Sequence, residues 1–164
     1  IDQGQPVLGV VHTPTRRVSY FAAHRKGAWR QTEDHAPEKI RTQPYRGGAA
    51  RMAASRSHSG QPVERFRAAL EAHSGQPVQA VAMGSSLKIC LVAEGQADVY
   101  PRFGPTSEWD IGAAHCVLNE AGGSILDCDG NRLVYNKREM RNPWFIAVGD
   151  PTYNWIDLCP RSPA

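Results

Sequence analysis

Hydrophobic positions along this chain fall into short runs separated by turn residues, and two periods are visible in them. Val7-Leu8-Gly9-Val10-Val11-His12 is an apolar run closed by Pro14, the pattern of a buried strand. Val18 to Ala22 predicts a second strand and Gly27 to Arg30 a short third, together an antiparallel meander. Ahead of them, residues 1–6 read as a hairpin turn with no strand before it, so the expectation is a chain that begins mid-fold. From Gln31 to Gly48 the chain is polar and interrupted by Pro37 and Pro44, which reads as a surface excursion towards a new layer.

The second half alternates strands with helices. Arg51 to Ala54 predicts a strand, and Pro62 opens a helix to about His73, placed where its missing N–H costs nothing. Val78 to Ala82 predicts a strand; Gly84-Ser85-Ser86 then caps a helix carrying Leu87, Leu91 and Glu94. A strand over Ala97 to Tyr100 precedes a helix opened by Ser107, striped by Ile111, Ala114, Leu118 and Ala121, and stopped at Gly122-Gly123. Ser124 to Leu126 and Trp144 to Val148 predict further strands, and Thr152 to Leu158 a last helical turn. This alternation implies a layered α/β sheet. The expected division is residues 1–48, strands of a first sheet with its excursion, and 49–164, an α/β unit.

Composition narrows the class. The chain has 164 residues, 41% hydrophobic and 21% charged, which is globular. A net charge of only +3 creates no strong field for nucleic acid or anionic membrane, and no apolar run approaches a membrane span. Cys90, Cys116, Cys128 and Cys159 lack the short paired spacing of a zinc ribbon or redox motif, so reduced, isolated thiols are expected. Cys90 and Cys116, inside amphipathic helices, read as core fillers.

Two segments can carry chemistry. In Ser107-Glu108-Trp109-Asp110, the spacing of Ser107 and Asp110 fits a capping box, and an acid in the first turn complements the helix dipole; that alone explains Asp110. The same carboxylate is also a hard oxygen donor held at a helix start, as a magnesium site needs. Gly84-Ser85-Ser86 offers hydroxyls and helix-start N–H groups to an anion; Lys88 adds a point charge, and Arg102 at a strand end can grip a phosphate in two places. Each has a plainer reading: serines that merely cap, a lysine on a solvated helix face, an arginine paired with a surface carboxylate, and at His58 an ordinary loop histidine. Asp98 reads as a strand-edge residue and Asp127-Cys128-Asp129-Gly130 as a turn.

Trp109-Asp110, followed by small residues and then Glu120-Ala121-Gly122-Gly123, resembles the second signature of the inositol-monophosphatase superfamily, and Gly4 to Val11 with Pro14 resembles the strands after its first metal motif. Gly84 to Lys88, Ala93 to Arg102, Ala54 to His58, Tyr135-Asn136-Lys137 and Asn142 to Ala147 resemble its 3′(2′),5′-bisphosphate nucleotidase (CysQ-like) branch. The resemblance implies the layered α/β sandwich of the inositol-monophosphatase/fructose-bisphosphatase type, truncated at its N-terminus. It implies a phosphatase of sulfur assimilation that removes the 3′-phosphate of adenosine 3′,5′-bisphosphate with Mg2+. Asp110 becomes a metal ligand, and His58, Ser85, Lys88 and Arg102 become contacts to the phosphate that is not cleaved. The implied location is cytoplasmic, or peripheral to the inner membrane.

The family's first signature, an Asp-Pro-(Ile/Leu)-Asp-Gly-Thr run with two metal-binding aspartates, has no counterpart here. Two-metal hydrolysis needs several carboxylates, so this chain alone is expected to be inactive. The alternatives are an inositol- or fructose-phosphate phosphatase of the same superfamily, and a non-catalytic nucleotide- or phosphate-binding module.

Overall fold

The computed structural model describes residues 1–54 and 60–161. The predicted meander forms: β1 (Leu8–Thr13), β2 (Val18–Ala23) and β3 (Gly27–Thr32) pair antiparallel in sequence order. Period two decides its faces, with Val18, Tyr20 and Ala22 of β2 buried on one side. The turn before it also forms: Asp2 and Gln5 exchange backbone hydrogen bonds at 2.9 Å, with Gln3 and Gly4 both at positive φ. One expectation fails here. The stretch read as a polar excursion contains a fourth strand, β4 (Glu38–Ile40), on the edge beside β3. It has a single inward apolar residue, Ile40, and three residues are too few to display a period.

The second sheet holds β5 (Arg51–Ala54), β6 (Gln79–Ala82), β7 (Val99–Arg102), β8 (Ser124–Asp127) and β9 (Phe145–Val148), in the order β6-β5-β7-β9-β8. β5 runs parallel to β6 and β7, and β9 runs antiparallel to both its neighbours. Helix α1 (Gln61–Ser74) makes the β5–β6 crossover, with Pro62 in its first turn and Gly75 closing it in the left-handed conformation. Helices α2 (Leu87–Ala93) and α3 (Glu108–Ala121) lie between the two sheets. The C-terminal helical turn is shorter than predicted, a 3-10 turn over Ile156–Leu158.

Two cores result. One joins Val18, Tyr20 and Ile40 of the first sheet through α2 and α3 to Tyr100, Phe145 and Ala147 of the second. The other packs Met52, Val99, Ile146 and Val148 against Phe66 and Leu70 of α1 and against Trp155. The architecture is therefore the layered α/β arrangement expected from the sequence. Strand β9 shows why its residues read as an unbroken apolar run: alternate side chains enter different cores, and all four are buried.

Buried charge ties the layers. Asp98 is no strand-edge residue: it lies just ahead of the central strand β7, is 5% exposed, and accepts the Arg51 N–H at 2.7 Å and its guanidinium Nη2 at 2.5 Å. Glu94, the C-cap of α2, accepts the Tyr20 hydroxyl at 3.1 Å and lies 3.2 Å from Arg30 Nε, an ion pair without hydrogen-bond alignment. Burial raises the Glu94 carboxyl above its ordinary value, against the pull of Tyr20 and Arg30. Asp127 behaves as read, its carboxylate accepting the N–H groups of Asp129 and Asn131 at 2.9 and 2.8 Å. Cys90 and Cys116 are fully buried, and burial pushes their thiols up to about 12 and about 11.

Helix α3 sits so close to β1 that a methyl on Gly9 would fall on the Ala113 carbonyl oxygen and 2.9 Å from Cys116 Cβ. Gly9→Ala should therefore destabilise the fold by about 1–3 kcal/mol through overpacking. Gly60→Ala, whose new methyl would lie 3.6 Å from Pro62 Cδ, should cost a few tenths. Urea unfolding midpoints measure both; a Gly9→Ala protein as stable as the parent would refute the close approach.

Candidate functional site

The C-terminal ends of β6 and β7 and the starts of α2 and α3 converge on one cleft of about 290 Å³. Its position obeys the general rule for α/β sheets, in which ligands meet strand ends and helix starts. After β6 the chain turns through Met83 to Ser86, with Ser85 at φ 55, a left-handed conformation for a residue with a side chain. Neither serine bonds as a side-chain cap of α2, and the Lys88 and Ile89 N–H groups go to the Ser85 and Ser86 carbonyls at 3.4 and 3.0 Å. The helix-start N–H groups expected to face an anion are thus partly consumed within this seven-residue helix.

Lys88 is not on a solvated face. It is 4% exposed, and its ammonium donates to the Met83 and Ser85 carbonyls at 3.3 and 3.0 Å while lying 5.1 Å from the Tyr100 ring. Burial, and then the neighbouring Arg102, depress its affinity for a proton. Arg102 ends β7 and donates from Nη2 to Pro105 O at 3.0 Å, while its Nε is buried without a partner. Among the described residues neither cation has a carboxylate ion-pair partner. Two adjacent, uncompensated cations in a cleft have the electrostatics of an anion site.

Asp110 faces the same cleft from the first turn of α3. Its Oδ2 accepts the Ser107 N–H at 2.7 Å, so the capping role is real, and its other oxygen is unengaged by any hydrogen bond among the described residues. No group of three or more His, Cys, Asp or Glu side chains suited to a metal ion occurs among the described residues. Ser85, Lys88, Arg102 and Asp110 thus line one cleft, as the sequence suggested; His58 lies outside the described residues.

Sequence reasoning missed the supporting wall. Tyr100 and Thr106 also line the cleft, and Asn142 holds Thr106 by two bonds, N–H to carbonyl at 2.8 Å and amide to hydroxyl at 3.1 Å. Glu108, one turn position before Trp109, accepts the N–H groups of Asn136 and Lys137 at 2.8 and 3.1 Å and the Lys137 ammonium at 2.6 Å. Burial works against its charge, but these donors win and hold the carboxyl below the ordinary carboxylate value. Tyr135 in the same loop bonds His115 of α3 at 2.8 Å. An acid at the first helical position was the available signal, and it was absorbed into the motif beside it.

The profile of the inositol monophosphatase family matches residues 1–144. The chain belongs to that family. It is 43% identical over 146 residues to the 3′(2′),5′-bisphosphate nucleotidase CysQ of Salmonella typhimurium, covering 88% of this chain and 56% of that protein. The Haemophilus influenzae counterpart is 34% identical over 159 residues, covering 96% and 58%. A crystal structure of CysQ from Bacteroides thetaiotaomicron superposes with a TM-score of 0.81 at 36% identity, covering 91% of this chain and 60% of that one. A Thermotoga maritima inositol monophosphatase, at 21% identity and a TM-score of 0.74 over 96% and 57% of the two chains, shares the fold. The chain thus spans somewhat over half the length of the relatives it matches. No helix among the described residues is long and apolar enough to cross a membrane.

In this family member helix α3 carries a pH dependence at His115. Burial, and secondarily Arg132, depress His115 to about 4. The unfolded chain binds its proton near 6.5, so stability is full above that value and is lost as pH falls from 6.5 towards 4. At pH 5 the loss from this site amounts to about 2 kcal/mol. Thermal unfolding across pH 7 to 5 should show this slope, and His115→Gln should flatten it; equal slopes would place the titration elsewhere.

Proposed function

We propose that this chain carries the anion-holding part of a magnesium-dependent phosphatase that removes the 3′-phosphate of adenosine 3′,5′-bisphosphate. The observation that supports it is the Lys88–Arg102 pair, without a carboxylate partner among the described residues, facing Asp110 across one cleft. The names of the CysQ relatives point to the same substrate class. In this reading Arg102 grips the uncleaved phosphate, because its orphaned Nε and remaining guanidinium donors match a phosphate edge. Lys88 braces the Met83–Ser85 carbonyls, which positions the Ser85 hydroxyl, and contributes charge through its remaining donor. His58 joins these contacts by resemblance. Asp110 offers one oxygen to a metal while its other oxygen keeps the helix capped.

Magnesium, when bound, supplies charge neutralisation and an activated water. The described residues present one carboxylate for it, and a lone carboxylate holds so strongly hydrated an ion only weakly. They therefore do not make a complete metal site, and no chemical step is assigned to them.

This yields a set of binding predictions for the chain as it stands. It should hydrolyse neither adenosine 3′,5′-bisphosphate nor inositol monophosphate with magnesium, yet bind the bisphosphate more tightly in calorimetry. Arg102→Ala should weaken bisphosphate binding about ten- to a hundredfold, the worth of a charge-assisted hydrogen bond, and inositol monophosphate binding much less. Equal losses on both ligands would favour an inositol-type phosphatase instead. Asp110→Asn should abolish any magnesium-dependent gain in binding while leaving the unfolding midpoint near that of the parent, since Asn also caps. An unchanged magnesium dependence would return Asp110 to a purely structural role.

A further inference from the structure

Between Arg102 and Asp110 the cleft wall holds a hydroxyl that is fixed from behind. Thr106 lines the cleft with Pro105, whose carbonyl oxygen accepts the Arg102 guanidinium at 3.0 Å. Behind this strip runs the segment 140–142, bridged antiparallel to residues 106–108. The Asn142 N–H donates to Thr106 O at 2.8 Å and the Glu108 N–H to Met140 O at 2.9 Å. Asn142 is only 7% exposed, and its side-chain Nδ2 donates to Thr106 Oγ1 at 3.1 Å. A hydroxyl has one hydrogen to give and two lone pairs, so an oxygen that accepts from Asn142 keeps its own hydrogen for another partner. Among the described residues none takes it, and the open space beside Thr106 is the cleft. Donation into the oxygen also polarises the O–H bond and strengthens it as a donor.

Resting on the reading of this cleft as a phosphate site, we propose that the Thr106 hydroxyl donates to the phosphate gripped by Arg102, and that Asn142 is the positioning residue that turns it. The strip that carries Thr106 lies against that guanidinium: Pro105 holds its Nη2, and a methyl on Gly104 would lie 3.9 Å from its Cζ. Asp110, by contrast, stands in the first turn of α3 and belongs to the metal side of the cleft. The chemistry of the ligand calls for such a group. A planar guanidinium engages two phosphate oxygens in its own plane, and the remaining oxygen needs a donor from outside that fork. A half-buried hydroxyl with its acceptor side occupied supplies one without adding charge to a site that already holds Lys88 and Arg102.

Calorimetry on the full chain tests this with two probes, adenosine 3′,5′-bisphosphate and adenosine 5′-monophosphate, which carries only the uncleaved phosphate. Thr106→Val, of the same shape but without the hydroxyl, should weaken both about tenfold, the worth of one hydrogen bond to a charged group. Thr106→Ser keeps the hydroxyl and should stay within about twofold of the parent. Asn142→Ala should weaken binding severalfold in the parent and no further in Thr106→Val, because it acts through the hydroxyl; two independent structural lesions would add. Urea midpoints measured alongside separate loss of fold from loss of contact, and the two Thr106 variants decide the outcome even where Asn142→Ala unfolds. Parent-like affinity in Thr106→Val, an equal loss in Thr106→Ser, or a loss confined to the bisphosphate would overturn the contact. If Arg102→Ala remained defective in that experiment, the phosphate reading of the cleft would stand without it. A parent chain that binds neither probe would overturn both.

Discussion

The structure depends on one close packing, that of α3 between two sheets. A helix with sheets on both sides needs more than the single apolar stripe of a surface helix, and α3 meets this by burying Ile111, Ala114, Cys116, Val117, Leu118 and Ala121 together with His115 and Glu108. Small residues make the approach possible: Gly9 on β1 lets the helix backbone reach the strand, and Gly123 lets the chain turn back against Leu118 and Val148. The start of the same helix then has nowhere to go except the rim of the second sheet. That is where Asp110 meets the ends of β6 and β7. The position of the site is thus a consequence of how the layers are spaced.

Buried charge follows a pattern that separates architecture from chemistry. Arg51 with Asp98, Arg30 with Glu94, and Lys137 with Glu108 each join two segments remote in sequence, and each cation has its carboxylate. Removing one partner of such a pair leaves a charge stranded in a poor solvent, which costs far more than the pair contributes. Lys88 and Arg102 break the pattern. They sit side by side, and backbone carbonyls satisfy them only in part. Among the described residues this contrast, buried carboxylates each matched by a cation elsewhere and two cations without a carboxylate at a strand end, is what supports the proposed anion site.

Much of this was legible before the structure. Period two in Val18 to Ala22, the apolar run at Phe145 to Val148 and the glycine pair after Ala121 place strands and a helix end correctly, because each reports a local constraint. Ser85, Lys88, Arg102 and Asp110 were legible because they lie in segments that resemble a known branch, and the structure brings them to one cleft. What could not be read was partnership over long distances. Asp98 gives no hint in its neighbourhood that Arg51 waits for it, and Glu108 none that it holds the loop at Asn136 and Lys137. Strand β4 was missed because Ile40 stands alone.

Strand β9 has a consequence for the order in which the molecule can assemble. It is the shared neighbour of β7 and β8, and it supplies Phe145 and Ala147 to one core and Ile146 and Val148 to the other. During vectorial synthesis, β7 and β8 emerge from the ribosome with no partner between them until residues 145–148 follow. Neither core can close before that point, so most of the chain waits as a partly open sheet with unpaired strand edges. The nascent chain is therefore vulnerable to misassociation until synthesis has passed β9. The four residues of β9 then join two half-built interiors into one structure.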